Sequence, residues 1–182
     1  EVNYGYENFN DPANPTLGMA FDLVAGYKQN VDVFKNFTYL IPQLRFTSPI
    51  INSEKLVFAT KFKGHFNIGN DFEFYQAAMI GGFDGLRGYR NQRFNGRTAF
   101  YQNTDVRWNI TKVKTGIVPA NLGIFTGFDH GRVWVSNDTS NNWHTSVGGG
   151  VYFNALGLFT VNASLFNADD GNRFAFAMLF NF

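Results

Sequence analysis

The sequence predicts an all-β protein: an eight-stranded antiparallel transmembrane β-barrel with one long loop between its third and fourth strands. Three observations predict it. Apolar and polar residues alternate with a period of two along most of the chain. Phe is abundant, with 22 among 182 residues, yet mean hydropathy is slightly negative at −0.19, so apolar and polar side chains are interleaved rather than blocked. The alternating segments run to about ten residues, the length that crosses a bilayer as a tilted strand.

Taken in order, the expected strands are "LGMAFDLVAGYK" (17–28), "FTYLIPQLRFT" (37–47), "LVFATKFKGHFNI" (56–68), "FYQNTDVRWNI" (100–110), "GIFTGFDHGRVWV" (123–135), "HTSVGGGVYFN" (144–154), "LFTVNASLF" (158–166) and "RFAFAMLFNF" (173–182). The last is the clearest, with Phe174, Phe176, Met178, Phe180 and Phe182 on one face. Residues 1–16 are expected to form a periplasmic N-terminal segment, and 17–182 the transmembrane barrel. Pro42 lacks an N–H, so a weakly paired spot, an edge or a bulge is expected there. "FEFYQAAMI" (72–80) reads equally as a short helix or a strand extension. The links 29–36, 69–97, 136–143 and 168–172 fall at one end of the barrel; 48–55, 111–122 and 155–157 fall at the other. The longest, 69–97, carries "GGFDGLRGYR".

Volume assigns the faces. A barrel of eight strands has an interior just wide enough for side chains. Phe58, Phe62, Phe66, Phe100, Trp108, Phe128, Phe174 and Phe176 together would overfill it, so these rings are expected to face lipid. The opposite face holds Gly18, Ala20, Gly26, Gly127, Gly148 and Gly150 with a few charges, a set that fits inside. Arg45, Lys61, Lys63, Asp22 and Arg107 form an inward charge set, expected to be a satisfied core network, with an ion path as the lesser alternative.

Composition excludes several functions. Net charge is +1, which gives no basic surface for nucleic acid. Cysteine is absent, so there is no disulfide framework and no thiolate ligand or nucleophile. No run of about 18 apolar residues exists for a membrane helix. His65, His130 and His144 share no metal-ligand spacing, and Asp129 and His130 point to opposite strand faces, which defeats a catalytic dyad. "NADDGN" (167–172) lacks the distal Glu of a calcium loop and reads as a turn. No Lys-Ser/Thr follows the glycines of the long loop, so it is not a phosphate loop. The expectation is no catalytic residue, no metal and no cofactor.

The loop and the strands after it carry a resemblance. Leu86, Arg87, Gly88 and Tyr89 at the loop tip, Asn103, Asp105 and Arg107 on the next strand, and Phe128, Asp129 and Gly131 on the one after resemble the signature of the BamA/TamA outer-membrane assembly-and-translocation superfamily, the bacterial surface antigen barrels. "NPTLG" (14–18) is similar to that family's lead-in to a barrel strand, and Phe182, with Phe180, matches its C-terminal insertion signal. The match covers most of this chain but only the C-terminal half of the usual barrel of about sixteen strands. It implies a bacterial outer-membrane location and a role in inserting or translocating protein or lipid. The partners it implies are membrane lipid, unfolded outer-membrane proteins, the barrel assembly machinery and, if two halves join, a second copy of the chain. A structural barrel or anchor without a pore, and a half-barrel that needs a partner, stand as alternatives; a lipid-acting membrane enzyme ranks last. An Arg inside a lumen must be paired, because an isolated buried charge costs several kcal/mol or more. The strand parities and the resemblance together lead to the expectation that Arg87 folds inward onto Asp129, Asp105 or both, with Gly85 and Gly88 bending the loop and Tyr89 packing against the wall.

Overall fold

The alternating pattern becomes strand nearly throughout. The computed structural model describes residues 1–30, 35–51, 53–69, 72–82, 84–114, 119–135, 142–155 and 159–180. Nine strands form one antiparallel sheet: β1 (Val2–Phe9), β2 (Gly18–Asn30), β3 (Lys35–Ile51), β4 (Ser53–Ile68), β7 (Thr98–Lys114), β8 (Pro119–Trp134), β9 (His144–Ala155), β10 (Phe159–Ala168) and β11 (Gly171–Phe180). Each inner strand pairs with the strand before and after it in this order. Between β4 and β7 the long loop carries its own small ribbon, β5 (Ala78–Ile80) and β6 (Phe94–Gly96). The segment at 72–80 resolves into both of its readings, a 3-10 turn at Phe74–Gln76 followed by β5. Among the described residues, no helix is long and apolar enough to cross a membrane.

The sheet departs from the expected eight strands closed on themselves. It has nine, and its edges β1 and β11 are not paired with each other among the described residues. The additional strand is Val2–Phe9, which the sequence reading set before the barrel. It pairs along its whole length with β2, from Val2↔Ala25 to Phe9↔Gly18. The reason lies in its own alternation: Val2, Tyr4 and Tyr6 project to one exposed face, and Asn3, Gly5 and Glu7 to the other. An odd strand count also sends Val2 to the end that carries the long loop, not to the end of the short turns. Pro42 behaves as its missing N–H requires: the β3–β4 ladder runs from Leu40↔Phe66 to Gln43↔Lys63 with no pairs at Ile41 and Pro42.

The two faces differ as the volume reasoning requires. Met19, Phe46, Trp108, Phe128, Val147, Val151, Phe174 and Phe176 are exposed. The opposite face buries Ala20, Tyr39, Val57, Tyr101, Asp129, Ser146, Tyr152 and Phe166. The few rings on this concave face are accommodated in one recurrent way. Tyr39 lies over Gly26 and Tyr152 over Gly123, each glycine being the cross-strand partner of its ring. Phe166 lies over Gly148 and reaches Gly127, which pairs with Gly148 on the far side. A ring laid on a glycine covers bare backbone and fills the space that a side chain would take. A Cβ at Gly148 would stand 2.2 Å from the Leu165 carbonyl oxygen and 2.6 Å from Phe166 Cα. Gly148→Ala is therefore expected to destabilise the β9–β10 pairing by about 1–3 kcal/mol, the usual range for overpacking, read as a lower urea midpoint in detergent or lipid.

Candidate functional site

The long loop does not extend away from the sheet; it turns back onto the concave face. Gly81, Gly82 and Gly85 adopt φ of +129°, +75° and +150°, values that a side chain would strain, and they let the chain double back through the Gly82 N–H to Leu86 O bond of 2.9 Å. The reversal delivers Leu86 and Tyr89, both almost wholly buried, to a small apolar core with Ala78, Ile80, Ala99 and Tyr101. Gly88 sits where any Cβ would meet Ser146 Cβ at 2.6 Å and Ala168 Cβ at 2.8 Å, so the tip can lie against β9 and β10 only without a side chain there.

Between these anchors Arg87 projects onto two carboxylates. Its Nη1 and Nη2 donate to Asp105 Oδ2 and Oδ1 at 3.1 and 2.7 Å, a bidentate fork. Its Nε and Nη2 donate to Asp129 Oδ1 at 3.0 and 2.6 Å, and its backbone N–H to Asp129 Oδ2 at 2.8 Å. Asp129 is fully buried and accepts two further bonds, from Asn103 Nδ2 at 2.7 Å and Ser146 Oγ at 2.9 Å. Asn103 Nδ2 also donates to Gly85 O at 2.7 Å, and Gly88 N–H to Ser146 Oγ at 3.2 Å. The guanidinium carbon stands 4.2 Å from the centre of the Phe166 ring, the ring seated on the glycines. Burial works against the positive charge, but the Asp105 and Asp129 carboxylates outweigh it and raise the Arg87 pKa, so the group is charged at every accessible pH.

The rest of the loop is tied at its flanks. Asp84 accepts from Lys63 Nζ at 2.6 Å and from Tyr101 Oη. Tyr89 Oη donates to Asp169 at 3.3 Å, Arg173 to Tyr89 O, and Arg93 Nε to Asp170 at 2.6 Å. Burial alone would raise the Asp84 carboxyl, but the bonds from Lys63 and Tyr101 overcome it and hold the pKa below the ordinary value. A depressed acid contributes stability that is complete above its unfolded pKa and lost as pH falls through the folded one. Tyr101→Phe raises the Asp84 pKa toward the unfolded value. The loop of Tyr101→Phe is therefore expected to loosen at a higher pH than that of the parent, seen as earlier onset of amide exchange in 81–93 on acid titration.

Of the residues singled out from sequence, Arg87, Asp105 and Asp129 come together, with Leu86, Gly88 and Tyr89 supporting them. Arg107 does not join them. It points toward the short-turn end, where Nη2 donates to Pro15 O at 2.5 Å and Nη1 to Asn14 Oδ1 at 3.5 Å. Those residues belong to the β1–β2 turn, which also folds inward. Asn10 and Asp11 shape it by accepting the N–H groups of Thr16 and Ala13 at 3.0 and 2.9 Å. Ala13 O then accepts from Asn154 Nδ2 on β9 and Thr160 Oγ1 on β10, at 3.2 and 3.1 Å. The "NPTLG" motif thus forms a second inward turn, closed by Gly18 at φ +137°. Phe182 lies outside the described residues, and Phe180 ends β11 opposite Phe159. Ser146, Asp84 and Arg173 complete the site without any sequence signal of their own; Ser146 could have been found only by strand parity, two residues before Gly148 on the same face.

One run of nine antiparallel strands, with an Arg-tipped loop turned back onto its concave face, defines the class as a barrel-type sheet. Within it, residues 13–153 match the family described as haemolysin secretion/activation protein ShlB/FhaC/HecB, and the chain belongs to that family rather than specifically to the BamA/TamA branch. The matched span runs from the inward turn through β9 and includes Arg87, Asp105 and Asp129. No curated protein matches the chain.

Proposed function

We propose that the chain forms the C-terminal wall of a bacterial outer-membrane β-barrel that secretes a polypeptide, with the Arg87 loop as a fixed internal brace. The single observation that carries this reading is the match over residues 13–153 to a family of secretion/activation proteins, with the loop and both carboxylates inside the matched span. The exposed rings on the convex face supply a surface suited to lipid. The cargo would be an unfolded protein; the barrel assembly machinery would act only in inserting this chain. The reading is of a conduit, not an enzyme.

One observation favours the half-barrel over a small barrel that closes alone. Nine strands leave two unpaired edges among the described residues, and an odd count does not fit the even-numbered single-chain bacterial barrels. Closure would then draw on further strands, from a longer chain or from a second copy. Deleting the protein in its host and comparing culture medium with periplasm tests the secretion reading. Retention of one secreted protein in the periplasm, restored on re-expression, is the expected result; an unchanged medium would overturn it.

A further inference from the structure

Between the two inward elements the concave face holds a cavity of about 270 Å³, walled by Pro15, Arg45, Lys61, Arg87, Asp105 and Arg107. Its charges are unequally matched. Arg87 and Asp105 satisfy each other, and Arg45 Nη2 has Glu7 at 2.9 Å and Asp22 at 3.4 Å. Lys61 has its nearest carboxylate, Asp84, at 3.9 Å, and Lys63 already holds that carboxylate at 2.6 Å. The Lys61 ammonium also stands 5.0 Å from the centre of the Tyr101 ring. Arg107 has only neutral acceptors, Pro15 O and Asn14 Oδ1. The Nε–H groups of Arg45 and Arg107 are buried and find no acceptor among the described residues.

The strand register makes this convergence rigid. Arg45 and Lys61 are direct cross-strand partners, and Arg107 pairs with Val57, four residues along β4 from Lys61 on the same face. Lys61 shares its one carboxylate with Lys63 and Arg107 meets only neutral acceptors, and buried donors without acceptors are costly. An anion in the cavity relieves both. Donors arriving from three strands suit a tetrahedral oxyanion better than a flat carboxylate, which one guanidinium fork would take alone.

We propose that Arg45, Lys61 and Arg107 form an oxyanion site that takes phosphate, either free or as the phosphate of a lipid headgroup. The site does not depend on the secretion reading. Its test uses the purified protein in a phosphorus-free maltoside detergent at constant ionic strength, titrated with inorganic phosphate and followed by calorimetry and phosphorus NMR line width. Saturable binding is expected, weakened about tenfold or more in Lys61→Gln and in Arg107→Gln, and unchanged in Arg93→Gln, whose side chain pairs with Asp170 at the loop end. If Arg107→Gln fails to fold because the 10–17 turn is released, Lys61→Gln decides alone. Phosphatidylglycerol in mixed micelles separates the two sources: displacement of bound phosphate assigns the headgroup, and no displacement assigns the free ion. Absence of saturable binding to the parent protein, or equal affinity in Lys61→Gln, would overturn the proposal.

Discussion

Arg87→Ala is expected to cost about 3–5 kcal/mol of unfolding free energy, the range for removing one partner of a buried ion pair. The magnitude rests on what remains. Asp129 is wholly buried and would be left with only Asn103, Ser146 and the residue-87 N–H as donors, while Asp105 would lose its bidentate partner. Phe166 would lose the cation stacked above it. The measurement is heat-modifiable gel mobility with a urea midpoint in detergent. A variant as compact and as resistant as the parent would show that the apolar packing of Leu86 and Tyr89 and the flanking ties hold the loop without the Arg87 ion pairs. Arg87→Lys is expected to recover little, since an ammonium cannot reach two carboxylates with a fixed fork.

Asp129→Asn carries the second large effect, about 3 kcal/mol, for a complementary reason. The carboxylate accepts from Arg87 N, Nε and Nη2, Asn103 Nδ2 and Ser146 Oγ. An amide of the same shape presents an N–H on one side and meets a donor there, leaving Arg87 short of charge as well as bonds. The double variant Arg87→Ala/Asp129→Asn is expected to cost less than the sum of the single ones by about 2 kcal/mol, because each single change already breaks the same pair. Additive losses would mean that the two residues stabilise the fold independently, contrary to the 2.6 Å contact.

Much of this was legible in the residues. The period of two placed β2–β4 and β7–β11 to within a few residues at most ends, and ring volume against barrel size gave the outward face. Strand parity alone put Asp105 and Asp129 on the concave side. The missing strand was also written in the chain: Val2, Tyr4 and Tyr6 alternate with Asn3, Gly5 and Glu7, but eight residues of mixed character give a weak signal beside ten-residue strands rich in Phe. Arg107 shares its parity with Asp105 and so is expected on the inward face beside the loop. Two residues along a strand move a side chain by roughly 7 Å, enough to carry it to the other inward turn.

The sequence by itself determined the strands, their exposed and concave sides, and which residue types could meet inside. Those follow from local alternation and from volume, which need no knowledge of neighbours. Only the tertiary structure decided the open nine-stranded order, the rings seated on glycines, the second inward turn at Ala13–Pro15, and the division of cations between paired and unpaired ones. Those depend on which strands lie side by side and how far a loop reaches across them, and no single segment carries that distance.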